Sequence, residues 1–238
     1  PTVPRSAVRR AVSRAIRARD RRLTDHASRA PCRSDAQSRC ASSLQPWRVS
    51  HRPRRERVTK GAAHPGRVIL VDAGDLLQGN PLAYVAARVS SDTTSPVIAA
   101  MNAMRYDAAA IGNHEFNYGV PFLDRAVAQA RFPFLSSNTY RVDGTRKYRA
   151  WTMVERAGAR VAIVGGTTPG VNVWDRDNVR GRVNVRAIIP DVRTSVREAR
   201  DAGADVVVVV LHSGLSGTSS YDTASAGAAS ENVTAQVA

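Results

Sequence analysis

Three short polar clusters stand out in this 238-residue chain. Asp72 and Asp75 bracket an Ala-Gly pair, Gly112, Asn113, His114 and Glu115 are consecutive, and His212 opens a His-Ser-Gly step after a run of valines. A carboxylate, a carboxamide and an imidazole together suit divalent ions of intermediate hardness, such as Mn²⁺, Zn²⁺ or Co²⁺. Gly74 and Gly112 allow the sharp backbone turns that would bring such donors to one ion. Each residue also has an ordinary reading. Asp75 can cap a turn, Asn113 can occupy left-handed backbone, His114 can be a loop histidine and His212 can simply end a strand. Glu115 and Asp72 read as structural, accepting hydrogen bonds from nearby backbone amides. The argument for chemistry is position, because each cluster directly follows a predicted strand, where ligands bind in open α/β sheets.

The elements that must position these clusters follow from the apolar periods. Arg67–Asp72 is a continuous apolar run that predicts a strand buried on both faces. Pro81–Ser90 and Pro96–Met104 read as helices, each with Pro at its first position. Asp107–Ile111 reads as a strand, Val120–Ala130 as a helix and Phe132–Ser136 as a strand. Tyr148–Glu155 and Arg160–Val164, joined through Ala157-Gly158, read as a hairpin. Pro190–Ala202 predicts a helix with Val192, Val196 and Ala199 on one face, and Asp205–Leu211 reads as the clearest buried strand. Residues 213–238 look loop-like until a helix begins near Glu231. Gly165-Gly166-Thr-Thr-Pro-Gly170 reads as a plain connection, with a phosphate-cradling loop as the weaker alternative. Strands alternating with helices predict an α/β domain with a largely internal sheet.

Gly-Asp-Leu-Leu-Gln-Gly-Asn-Pro (74–81), Met-Asn-Ala-Met-Arg-Tyr-Asp (101–107) and Ile-Gly-Asn-His-Glu-Phe-Asn-Tyr-Gly (111–119) carry a family resemblance. With Phe-Pro-Phe-Leu-Ser-Ser-Asn (132–138) and Val-Leu-His-Ser-Gly-Leu (210–215), the sequence resembles the calcineurin-like metallophosphoesterases of the nucleotidase type over roughly residues 67–238. The 5′-nucleotidases of that family usually have Asp where this chain has Asn117. Asn117, Gln78-Gly-Asn-Pro81 and His212-Ser-Gly-Leu215 look closer to the 2′,3′-cyclic-nucleotide 2′-phosphodiesterase/3′-nucleotidases. The resemblance implies a four-layer α/β/β/α sandwich and metal-dependent hydrolysis of nucleotide phosphoesters by a metal-activated water. It implies two divalent ions, Mn, Zn or Co, about 3.5–4 Å apart. Asp75 would bridge them, Asn113 and His212 would ligate the second ion, and His114 would act on the scissile phosphate, while Asn117 reads equally as a residue that orients His114 or as a cap of the helix starting near Val120. Nucleotides would be the substrates, and the location would be periplasmic.

The family's strand-one Asp-x-His motif is expected several tens of residues before Asp75. Thr24-Asp25-His26 lies near that interval, but its spacing is wrong and no apolar strand precedes it. The later Gly-His-x-His motif is not found, so the expectation is a catalytic domain incomplete at both ends, with a disordered basic tail in front of it. Composition supports the division at residues 1–66 and 67–238. Of the formal charge of +15, residues 1–66 carry +13 and the other 172 residues +2. Residues 1–66 hold only eight Leu, Ile, Val or Phe, about 12%, below the roughly 20% at which highly charged chains lose order. A uniformly cationic nucleic-acid-binding fold is thereby excluded, and no specific nucleic-acid partner is expected. The Arg-rich segment reads as an out-of-frame translation of G+C-rich DNA, a transit-like segment, or a cationic tail that binds polyanions by charge alone. Cys32 and Cys40 could staple only this segment, and His51 and His64 read as solvated. No apolar run is long enough to cross a membrane and no export signal is visible. A 5′-nucleotidase and a catalytically silent polyanion-binding fragment are the alternatives, and the sequence carries no signal for oligomeric state.

Overall fold

The apolar run at residues 67–72 forms only a short ladder. In the computed structural model, which describes residues 66–89 and 94–238, β1 is Val71–Asp72. Helix α1 (Pro81–Tyr84) is opened by Asn80, whose side chain accepts from the Ala83 N–H, with Pro81 at its first position. It continues as a π-helical turn over Val85–Val89 rather than as the α-helix expected to Ser90. Helix α2 (Pro96–Ala103), strand β2 (Ala108–Ala110), helix α3 (Val120–Gln129) and strand β3 (Phe134–Leu135) lie where the periods put them. Strand β4 (Thr139–Arg141) follows, and then the hairpin of β5 (Trp151–Arg156) and β6 (Ala159–Thr167). Its two-residue turn has Ala157 at φ +53° and Gly158 at φ +77°, the handedness that matches strand twist. Short helices α4 (Val171–Trp174) and α5 (Arg176–Val179) precede β7 (Val183–Val185). Helix α6 (Ile188–Asp201), strand β8 (Val206–His212) and the short helices α7 (Thr223–Ala226) and α8 (Thr234–Val237) complete the order.

Three apolar seams stack these elements into four layers. β1, β2 and β3 form a parallel sheet, and β5, β6 and β8 form a second in which β6 and β8 run parallel. On the first sheet's outer face Ile98 and Met101 of α2 and Phe122, Leu123 and Ala126 of α3 pack with Ala109 and Phe134. Between the sheets, Ala108 and Leu135 meet Ile163, with Val71, Val154 and Val210 alongside. On the second sheet's outer face Ile188 and Val192 of α6 cover Val164, Val207, Val209 and Leu211. Alternate residues of β8 thus serve opposite faces, and the result is the α/β/β/α sandwich expected. Gly165 lies at the tightest point between the sheets, where a Cβ would come within 2.5 Å of the Leu135 side chain and carbonyl.

Several expectations need correction. β8 is half-buried, with Val208 39% exposed, because among the described residues it pairs only with β6. The deeply buried strand is β6, which the sequence showed only as half of a hairpin. Gly165, Gly166 and Thr167 belong to β6, so they form neither a connection nor a phosphate loop. β4 and β7, three residues each, pair antiparallel and carry no periodic signal that the sequence could reveal. The last helix starts at Thr234, after Glu231 has been buried by bonds from Ser220. The expectations for the Arg-rich segment, Cys32, Cys40, Thr24-Asp25-His26, His51 and His64 lie outside the described residues.

Candidate functional site

β1 delivers Asp75 through a tight turn. The Asp72 carboxylate accepts from the Gly74 N–H at 2.8 Å, folding the chain back on itself. Gly74 has φ +99°, and a Cβ there would lie 2.5 Å from the Gly112 nitrogen, so only glycine lets the turns after β1 and β2 touch. Asp75 itself sits at φ +69°, a strained setting for a residue with a side chain. Buried Glu115 ties the two turns together. Its Oε2 accepts from the N–H of Asp75 at 2.8 Å and of Gly112 at 2.6 Å, and its Oε1 from Leu76 at 2.6 Å and Leu77 at 3.2 Å. Burial pushes the Glu115 carboxyl above its ordinary range, while the N–H groups of Asp75, Leu76 and Gly112 pull against that rise. The structural reading of Asp72 and Glu115 is what the bonds show.

Three sequence-derived donors converge at this junction. Asp75 Oδ2 lies 3.3 Å from His212 Nε2, and His212 Nε2 lies 3.0 Å from Asn113 Oδ1. His212 reaches them from the end of β8, in the other sheet. Its Nδ1 is 2.9 Å from the Ala73 carbonyl, which can only accept, so Nδ1 donates there and Nε2 is the nitrogen turned toward the two oxygens. That is the arrangement of a metal-ligating histidine, whose second nitrogen donates to a backbone carbonyl. Burial disfavours a charged His212, but the hydrogen bond and charge of Asp75 outweigh it and raise its pKa. Burial likewise works against the Asp75 anion, yet His212 and the His114 N–H hold its pKa below the ordinary value.

The donor set fits one divalent ion. Spacings of 3.0 and 3.3 Å suit neighbouring ligands about 2.1 Å from a shared metal. Among the described residues no group of three His, Cys, Asp or Glu side chains could hold a metal; the set is Asp75 and His212 completed by the Asn113 amide. Ligands private to a second ion are not found among the described residues.

His114 stands beside these donors on a 3₁₀ turn, His114–Phe116. Its backbone N–H donates to Asp75 Oδ1 at 3.0 Å, and its Nε2 lies 3.9 Å from Asp75 Oδ2. Its Nδ1 is 2.5 Å from Asn117 Oδ1, so Asn117 contacts His114, and it is Gly119 rather than Asn117 that stands at the cap of α3. Behind Asn117 lies Asp175, 58 residues away in sequence, which accepts from Asn117 Nδ2 at 2.7 Å. Sequence reasoning missed Asp175 and its neighbour Asn178, because only the junction of α4 and α5 brings them there. A cavity of about 340 Å³ beside the donors is lined by Asn113, Thr168, Trp174, His212, Glu231 and Asn232. A larger one of about 870 Å³ lies on the other face of β8 against α6, lined chiefly by valines and arginines, away from this chemistry.

The fold is similar to that of calcineurin-like phosphoesterases. The solved calcineurin-like phosphoesterase YfkN from Bacillus subtilis matches with a TM-score of 0.67 at 30% identity, over 77% of this chain and 57% of that one. The curated proteins it is similar to are nucleotide phosphoesterases and nucleotidases. The curated trifunctional nucleotide phosphoesterase protein YfkN of Bacillus subtilis is 35% identical over 162 residues, 62% of this chain and 11% of that protein. The 2′,3′-cyclic-nucleotide 2′-phosphodiesterase/3′-nucleotidase of Haemophilus influenzae is 37% identical over 160 residues, 62% of this chain and 24% of its own length. A 5′-nucleotidase of Vibrio vulnificus is 28% identical over 154 residues, 64% of this chain and 27% of that protein. The chain therefore spans between 11% and 27% of the lengths of these curated relatives. No family model matches.

Proposed function

We propose that this chain carries a metal-dependent site for hydrolysing nucleotide phosphoesters, with 2′,3′-cyclic nucleotides and 3′-nucleotides as substrates. The observation that carries the proposal is the convergence of Asp75 Oδ2, Asn113 Oδ1 and His212 Nε2, with His114 alongside. Asp75, Asn113 and His212 would hold one divalent ion, and Asp75 would be shared with a second. Bound Mn²⁺, Zn²⁺ or Co²⁺ would activate water and neutralise charge on the phosphate. Asp75 is held for that task through the His114 N–H and its strained backbone. His114 commits Nδ1 to Asn117 and keeps Nε2 on the side of Asp75, where, once it takes up a proton, it can donate to a phosphate oxygen. The cavity beside His212 would receive part of the nucleotide. Residues 1–66 are proposed to be a basic segment distinct from a partial catalytic domain at 67–238, the second carrying the donors named here. A periplasmic location is proposed from the relatives, and no described helix is long and apolar enough to cross a membrane.

Asn117 in place of Asp, with the higher identity to the cyclic-nucleotide enzymes, supports this branch over the 5′-nucleotidase reading. The test is hydrolysis of 2′,3′-cyclic AMP, 3′-AMP and 5′-AMP by the purified full chain in Mn²⁺, Co²⁺ or Zn²⁺, and again after chelation. Turnover of the first two that disappears with chelator, and falls about 10²–10⁴-fold in His114→Ala, supports the proposal. Preference for 5′-AMP overturns the branch, and absence of turnover on all three with every metal overturns the activity.

A further inference from the structure

We propose that Asp175 is a positioning residue for His114, acting through the carboxamide of Asn117. The inference deepens the hydrolase reading where activity is measured, but its geometric part stands without it. Asp175 is 5% exposed at the junction of α4 and α5. Its Oδ1 accepts from Asn117 Nδ2 at 2.7 Å and from Asn178 Nδ2 at 3.3 Å, and Asn178 Nδ2 also reaches the Asn117 carbonyl at 3.2 Å. Its Oδ2 is buried with no hydrogen-bond partner in the described structure. A buried carboxylate oxygen without a partner is unfavourable and calls for an explanation.

The explanation lies in what a carboxylate can do that an amide cannot. A carboxylate only accepts, so it can face only the Nδ2 end of Asn117. The Oδ1 end is then forced toward His114 Nδ1, 2.5 Å away. Two acceptors cannot share that contact, so Nδ1 carries the hydrogen. In the neutral ring Nε2 is therefore the bare nitrogen, and it is Nε2 that lies toward Asp75 Oδ2. Without a carboxylate behind it, the Asn117 amide could turn over at little cost. It would then present Nδ2 to the ring and move the hydrogen to Nε2. Asp175 thus selects the tautomer of His114 from two residues away, by fixing which end of an amide the ring meets.

The test begins with the unaltered full chain, labelled with ¹⁵N-histidine. Long-range ¹H–¹⁵N spectra at about pH 8.5, above the ordinary imidazole range, report the tautomer, and His114→Gln assigns the signal. Hydrogen on Nδ1 supports the proposal, and hydrogen on Nε2 overturns it, whether or not the chain hydrolyses nucleotides. Asp175→Asn should then give a mixed tautomer and lower kcat about 10–100-fold with little change in KM. An unchanged tautomer and kcat in a folded Asp175→Asn protein overturns the proposal. The decisive comparison is an exchange. Asn117→Asp alone places two carboxylates at hydrogen-bond distance and should be the least active variant. Combined with Asp175→Asn it should hold the Nδ1 tautomer and exceed either single variant in kcat, since the bond between residues 117 and 175 re-forms with donor and acceptor interchanged while residue 117 still accepts from His114 Nδ1. A double variant no better than the singles overturns the proposal. Inactivity of the unaltered chain on every nucleotide would count against the hydrolase reading while leaving the tautomer measurement to decide the role of Asp175.

Discussion

Glu115 serves four backbone N–H groups with two oxygens, and each oxygen is needed. Glu115→Gln replaces one acceptor by a donor facing two buried donors, so the loss should exceed that of an ordinary hydrogen bond. About 2–4 kcal/mol is expected, measured by urea unfolding of the full chain. The same variant should weaken metal binding, because the turn that presents Asp75 is the one it loosens. At this scale the sequence was informative for a physical reason: Asp75, Asn113, His114 and His212 all sit within four residues of a strand end, and strand ends of parallel sheets converge. Asp175 was illegible for the complementary reason. It lies between two four-residue helices that no periodicity announces, and its only link to His114 runs through space.

The glycines of β6 and its hairpin separate two kinds of cost within one element. At Gly158, φ is +77° and the space around it is empty, so Gly158→Ala bears only backbone strain, about 1 kcal/mol. At Gly165 the added methyl would meet Leu135 at 2.5 Å, so Gly165→Ala must displace one sheet from the other, about 2–3 kcal/mol or more. Thermal unfolding of both variants should rank them in that order; equal losses would mean that the sheets yield easily. The closing segment makes a different prediction. Tyr221 donates to the Ala229 carbonyl at 2.6 Å and meets the Trp174 ring edge-on, and burial, with the Glu231 charge, pushes its phenol up to about 12. Because the folded state favours the protonated form, its contribution is intact below pH 10 and is lost as pH rises through about 12. Tyr148 and Tyr140 are also raised and act in the same direction. The difference between wild type and Tyr221→Phe in stability measured from pH 9 to 12 isolates its share. Helices α2, α3 and α6 and the hairpin were legible because their apolar spacing or turn residues are local. The burial of β6 over β8 was not, since it depends on which strand has neighbours on both sides.

At the scale of the whole molecule, the donors come from two sheets: Asp75 and Asn113 from the ends of β1 and β2, and His212 from the end of β8. An ion bound among them links the sheets and should stabilise the folded state by mass action. Mn²⁺ at about 100 times its Kd should add roughly 2.7 kcal/mol, read as a rise in Tm that is absent in His212→Ala. A rise of equal size in that variant would place the ion elsewhere. The contact of Gly165 with Leu135 has a mechanical consequence for this arrangement. Backbone resting on side chain, with no room even for a methyl group, is a rigid stop that fixes the thickness of the middle seam. Donors attached to opposite sides of that seam convert its thickness into their own separation. Heating that expands the interior would spread the donor triangle before it unravels any strand, so metal affinity should decline at temperatures where the circular dichroism is still native. Hydrostatic pressure, meeting a stop that has no void to collapse, should leave the triangle almost unchanged.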